Sequence, residues 1–361
     1  MIDLIVEQLS WLALPVLLIC VIDDWFLRTG RELRVEEGAR IHDPVIMKFL
    51  YGVLPILVLA SLYRLLSAQR ADLSFVLVLI TAISGVVWAL EHFVFRHIRT
   101  GAALAAGRDP EKLQLPNTVD YARSFFPIMA VLLVVRSFIF EPYRIPSDSM
   151  MPTLLDGDFI VVNKFAYGLR WPVMHQKFLS VGLPMRGDVV VFRWPPDTGI
   201  NYVKRVVGLP GDLVEIRSDQ IFINGRSISF KFLGRYQDGC YLNMRLAEEN
   251  MEGRPHKVLH CLSGDSLAIP LLPSCDRDIS QSYLCNEATE NRVDDSGDAT
   301  MQVPLGQYLM VGDNRDNSSD GRYWGFVDES LLVGKANLIW FNWDLQRSGG
   351  PNWSRIGTQI K

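Results

Sequence analysis

The chain has 361 residues, 49% of them hydrophobic and 21% charged, with a formal net charge of -4, which leaves room for about two or three domains. That charge, with no basic patch carrying interleaved aromatics, excludes a nucleic-acid partner that needs a cationic face. Mean hydropathy is positive, high for a soluble protein, and the apolar excess sits before residue 141.

Four apolar runs make up that excess: Gln8 to Ile22, Phe49 to Tyr63, Leu73 to Leu90, and Phe125 to Phe140, the last broken by Arg136. Each falls short of the roughly 20 residues a spanning helix needs, but each continues into flanks with few charges, which predicts four membrane helices. Arg136, near an end, can snorkel to the interface. Asp23 to Lys48 carries Arg28, Arg31, Arg34, Arg40 and Lys48, and Arg96 to Arg123 carries Arg96, Arg99, Arg108, Lys112 and Arg123. The loop between the second and third runs offers only Arg70, with Arg64 at its edge. The positive-inside rule therefore assigns both basic segments to the cytoplasm and everything after the fourth run to the outside. Asp3 and Glu7 stand where a cleavable leader would be basic, so the first run is expected to stay as an anchor.

Beyond residue 141 lies a short stretch, Arg144-Ile145-Pro146-Ser147-Asp148-Ser149-Met150-Met151-Pro152-Thr153-Leu154. Each Pro fixes its own φ and pushes the preceding residue toward extended geometry, so the segment is expected to be a pinned irregular loop that can aim a hydroxyl. By composition alone it also reads as a polar linker, and either serine could be the reactive one.

The texture then turns to β. Phe159 to Val162, Asp188 to Trp194, Leu213 to Ile216, Ile221 to Ile223, Tyr308 to Val311 and Ala336 to Trp343 are short runs rich in Val, Ile and aromatics. Asn224-Gly225 between two such runs signals a type I′ hairpin. The expected fold is a set of N-terminal transmembrane helices followed by a mainly antiparallel β domain with barrel-like closure. From about Ser229 to Pro304 the pattern loosens into polar sequence with Cys240, Cys261, Cys275 and Cys285, read as an inserted subdomain. The domains expected are 1–140 in the membrane, 141–228 with 305–361 as the catalytic β domain, and 229–304 as the insert. On an oxidising face the four cysteines allow one or two disulfides, in a pairing the spacing leaves open. A metal site with His256 and His260 is disfavoured for want of a paired CxxC, and both imidazoles are expected at the surface.

Lys204 lies in a strand-like run with Val203, Arg205, Val206 and Val207. Alternation sends Lys204 and Arg205 to opposite faces, so only one is expected to face the core. If it is Lys204, burial disfavours the ammonium and makes a neutral amine available as a general base. A serine hydroxyl needs such a base, and His42, His92, His97, His175, His256 and His260 lie in no stretch that resembles a site. The run Gly312-Asp313-Asn314-Arg315-Asp316-Asn317-Ser318-Ser319-Asp320-Gly321-Arg322 resembles an EF-hand only loosely, lacking the twelfth-position Glu and carrying arginines that repel a cation. An Asp–Arg network holding a lysine from behind fits it better.

Together these stretches, with Arg186-Gly187-Asp188-Val189-Val190-Val191-Phe192 and Tyr202 through Asp212, resemble the successive boxes of bacterial type I signal peptidases of the Gram-negative kind, over about residues 121 to 361. The resemblance implies a membrane-bound serine endopeptidase that removes signal peptides on the outer side of the cytoplasmic membrane, with no cofactor. By the same resemblance Ser149 is the nucleophile, Lys204 the general base, Ser147 an oxyanion donor alongside the Ser149 N–H, and Ser318 the residue that hydrogen-bonds and orients Lys204. Ile145, Leu154, Tyr202 and Val203 would line shallow pockets for small side chains, and Arg205, Asp313, Asp320 and Arg322 would form ion pairs under the site. The implied partners are exported preproteins with Ala-x-Ala-like cleavage sites, membrane lipid met by Trp340, Trp343 and Trp353, and the secretion translocon. A self-cleaving Ser-Lys repressor shares the dyad but needs a DNA-binding module where this chain has apolar spans. Two positions depart from the pattern: Asp148 replaces a glycine between the serines and is expected to face solvent, and Gly321 stands where a serine is common.

Overall fold

Apolar helices and β-sheet separate along the chain as hydropathy and β-branching dictate. The computed structural model describes residues 2–34, 43–67, 73–217, 220–238, 241–260, 299–344 and 350–361, in two units, Met1–Ser137 and Phe138–Lys361. Cys240, Cys261, Cys275 and Cys285, on which the disulfide expectation rests, lie outside the described residues.

In the first unit the long helices are Ile2–Ile22, Val45–Ser67, Leu73–Leu90 and Asn117–Val134. Among the described residues three helical segments are long and apolar enough to cross a membrane: Leu9–Leu27, Leu73–Ala105 and Asn117–Ile139. The helix on the second of the four expected spans has a shorter apolar part, Val45–Ser61. The first two helices run antiparallel. Ser61 Oγ donates to the Ser10 carbonyl and Arg64 Nη1 to Ser10 Oγ at one end, while Tyr51 Oη donates to the Cys20 carbonyl and Asp23 toward the other. The ends bearing the basic segments gather together: Trp25 stacks on Phe95 at 4.3 Å, Arg108 Nη1 donates to the Glu32 carbonyl, and the Thr118 N–H donates to Asp24 Oδ2.

The second unit is built from antiparallel pairs. Its main sheet runs from the edge strand Phe140–Arg144 through Asp158–Asn163, Leu332–Asn342, Val189–Trp194, Asp197–Gly208 and Gln307–Val311 to Val327–Asp328, with Thr358–Gln359 pairing off Leu332–Asn342. Val189, Val190, Val191 and Phe192 are all buried because the sheet is covered on both faces. A four-stranded sheet contains the Asn224-Gly225 turn, where φ of +51° and +75° is the left-handed geometry a I′ hairpin requires. Ser229–Asp238, Tyr241–Met251 and Arg254–His260 form a three-stranded sheet where loose polar sequence was expected. Its strands have one wet face, and the dense polar residues there masked the alternation; Glu252-Gly253, both at positive φ, is the turn signal that marks it.

Candidate active site

The serine stretch forms turns and no regular element from Ile145 to Gly157, as its prolines require. Its base is pinned to the main sheet, with the Ile145 N–H donating to the Asp158 carbonyl at 2.8 Å and the Gly157 N–H to the Ile145 carbonyl at 3.0 Å. Asp158 is fully buried and receives Arg355 Nε and Nη2 at 2.7 and 2.5 Å, Asn342 Nδ2 at 2.8 Å and the Leu155 N–H at 2.8 Å. On the far side the Asn314 N–H donates to the Ser149 carbonyl and Asn314 Nδ2 to the Asp148 carbonyl, each at 3.1 Å. A loop tied at both ends has few ways to point its hydroxyls.

Against that loop lies the strand Asp197–Gly208. Lys204 Nζ donates to Ser149 Oγ at 2.5 Å, and Ser147 Oγ lies 3.4 Å from Ser149 Oγ. Lys204 is 4% exposed and Arg205 0%, which corrects the expectation that only one would be inward: a strand covered on both faces buries both. Burial pushes the Lys204 amine down to about 8; Asp320 and Asp313 draw it up and Arg322 draws it down, and desolvation wins. Its Nζ sits 5.4 Å above the centre of the Tyr202 ring.

Arg205 answers its burial with partners. Its Nε and Nη2 donate to Asp313 Oδ1 and Oδ2 at 2.7 and 2.6 Å, a bidentate pair of the strong kind, and Nη1 donates to the Gly187 carbonyl at 2.6 Å. Arg322 grips Asp320 in the same way, Nε to Oδ1 at 2.8 Å and Nη2 to Oδ2 at 2.9 Å, and Asp320 Oδ2 also accepts the Gly312 N–H. Burial alone would raise both carboxyls; Arg205 and Arg322 hold them below the usual range instead.

Ser318 departs from its expected role. It is buried, yet its hydroxyl makes no hydrogen bond among the described residues, Lys204 included. It packs over Gly312, where an added Cβ would lie 2.1 Å from Ser318 Oγ and 2.5 Å from the Ser149 carbonyl oxygen. The expected pocket residues divide as well. Ile145, Leu154 and Val203 share one buried cluster with Met150, Val189 and Val191, whereas Tyr202 packs on the opposite face, stacked on Trp194 at 5.1 Å and near Phe192 and Trp324. Strand alternation is the reason, since residues 202 and 203 face opposite ways. Asp148 does not face solvent but is 8% exposed, because Asn314 draws its backbone inward. His256 and His260 are buried too, on the inward-facing positions of Arg254–His260. Among the described residues no three His, Cys, Asp or Glu side chains cluster as metal ligands.

With this geometry in view, the relatives are informative. The signal peptidase (peptidase S26) family model matches residues 118–343. The chain belongs to the signal peptidase family, peptidase S26. Signal peptidase I of Pseudomonas fluorescens is 40% identical over 303 residues, covering 78% of this chain and 96% of its own. Signal peptidase I of Haemophilus influenzae is 31% identical over 333 residues, covering 80% of this chain and 92% of its own. A signal peptidase I structure from Enterococcus faecalis is 29% identical, covering 43% of this chain and 98% of its own with a TM-score of 0.23. Family membership makes the chain a serine endopeptidase, a hydrolase with apolar N-terminal helices that associate with a membrane.

Several residues that shape the site had no signal in the sequence. Asp158 meets Arg355 across 197 positions, and Arg315 meets Glu249 across 66. Asn314 lay in a stretch already singled out, but nothing local marks its hold on the two carbonyls.

Proposed function

We propose that this signal peptidase removes N-terminal signal peptides from exported preproteins on the outer side of the cytoplasmic membrane, using Ser149 and Lys204 through an acyl-enzyme. The observation that carries the reading is the 2.5 Å contact between Lys204 Nζ and Ser149 Oγ, with the amine buried and shifted toward its neutral form. Once the amine is neutral, the Ser149 O–H donates across the same contact. Ser149 Oγ attacks the scissile carbonyl carbon, Lys204 takes the hydroxyl proton, and the carbonyl oxygen becomes an oxyanion. The Ser149 N–H and the Ser147 hydroxyl, whose oxygen lies 3.4 Å from Ser149 Oγ, are assigned as its donors, and one such donor is typically worth about 3–4 kcal/mol. Lys204 returns the proton to the leaving amine, then takes one from the water that hydrolyses the Ser149 ester.

Exported proteins with small side chains at the cleavage site are the substrates this reading expects, while Ile145, Leu154 and Val203 are packed together in a buried cluster. Membrane orientation rests on charge. The basic segments share one end of the helical unit, so the positive-inside rule makes that end cytoplasmic. Val45–Ser67 runs back along the first helix between Tyr51 and Arg64, which supports four crossings and an outward-facing catalytic unit. Exposed Trp340, Trp343 and Trp353, the last at 70%, suit contact with lipid at the interface.

The test is cleavage of a preprotein with an Ala-x-Ala site by the full chain in detergent. Ser149→Ala and Lys204→Ala are each expected to abolish release of the mature protein while leaving the domain folded by circular dichroism. Near-normal cleavage by either variant would sink the dyad.

A further inference from the structure

A buried ion pair joins the inserted three-stranded sheet to the turn beside the serine loop. Arg315, in the turn after Gln307–Val311, donates from Nη1 and Nη2 to Glu249 Oε1 and Oε2, both at 2.6 Å, and the two side chains are 3% and 2% exposed. Arg315 Nε also donates to the Gly312 carbonyl, and the Arg315 carbonyl accepts from Arg322 Nη2. The next residue back, Asn314, is the one that holds the carbonyls of Asp148 and Ser149. The inserted sheet also meets the turn where the Leu259 N–H donates to the Asp313 carbonyl at 2.9 Å, and meets the serine loop directly where Met244 and Leu259 pack on Met151 and Leu155. Burial would raise the Glu249 carboxyl, but Arg315 and His256 hold it down to about 2, so Glu249 is a carboxylate near neutral pH.

Resting on the Ser149–Lys204 reading above, we infer that Glu249 and Arg315 are positioning residues through which the inserted sheet sets the direction of Ser149 Oγ. The pair fixes the turn, the turn fixes Asn314, and Asn314 fixes the backbone on which the nucleophile stands. Neither side chain touches the reacting atoms. Misplacing a nucleophile by about 1 Å can cost on the order of 100-fold in rate, so a pair this far from the chemistry can still govern kcat.

The experiment compares Glu249→Gln, Arg315→Gln and the double variant in the full chain in detergent, on a preprotein carrying an Ala-x-Ala site. Each single variant is expected to lose roughly 10- to 100-fold in kcat with KM unchanged within about 2-fold, the mark of lost positioning and not of lost binding. The pH midpoint set by Lys204 stays where it was. The double variant falls no further than the worse single one, since each residue acts through the other. It also leaves no buried charge alone, so it keeps its fold even where a single variant does not. A folded double variant with wild-type kcat overturns the proposal, as do additive losses or a double variant that fails to fold. Ser149→Ala is assayed beside them; if it cleaves, the functional reading has failed, and that result is separate from the behaviour of the pair.

Discussion

Lys204 is costly to keep charged where it lies, and that cost is what the site uses. Its amine, shifted to about 8 in the fold, is ordinarily near 10.4 in an unfolded chain. The ammonium's burial penalty is therefore fully present below about pH 8 and is relieved as pH rises from 8 toward 10.4, a window in which the fold's stability rises with pH. Activity follows the free base: kcat/KM should rise through a midpoint near pH 8, read from a pH–rate profile on a peptide substrate, and roughly one amine in ten is neutral at pH 7. A midpoint near 10 would show an ordinary solvated lysine. Gly312 makes a sharper prediction. Because a Cβ there would run into Ser318 Oγ and the Ser149 carbonyl, Gly312→Ala should move the serine loop and cost roughly 10- to 100-fold in kcat. Unchanged kcat would show that the loop can yield.

The strand Asp197–Gly208 and the turn Gly312–Arg322 depend on each other through buried ions. Arg205 and Asp313 have no exposed surface, and removing one partner leaves a buried charge without its counter-ion. Asp313→Ala is expected to cost about 3–5 kcal/mol, measured by urea unfolding of the chain, and a change under 1 kcal/mol would show that the pair is dispensable. The hairpin at Asn224-Gly225 is a local matter. Gly225 sits at φ +75°, so Gly225→Ala should cost about 1 kcal/mol with no effect on kcat, in the same unfolding experiment. The hairpin was legible because I′ geometry is a property of two adjacent residues. The three-stranded sheet was not, although its Glu252-Gly253 turn uses the same device, because polar residues on its wet face break the apolar runs by which strands are recognised.

At the scale of the whole molecule, acid is the natural probe. Glu249, Asp313 and Asp320 are all held below the usual carboxylate range, so they contribute stability above the unfolded values near 4, and lose it as pH falls through the folded ones. Unfolding midpoints should fall steeply from about pH 4.5 downward, and the double variant of Glu249 and Arg315 should flatten the lower part of that fall. The helical unit, the antiparallel β texture and the serine, lysine and Asp–Arg stretches could all be read from the chain, because hydropathy, β-branching and proline act over neighbouring residues. Which serine contact is short, why Lys204 and Arg205 are both buried, why Asp148 turns inward and why Ser318 does not reach Lys204 were decided only by the tertiary structure. Those outcomes depend on which strands cover each face of a sheet and on pairs such as Asp158 with Arg355, 197 residues apart, where no local preference acts.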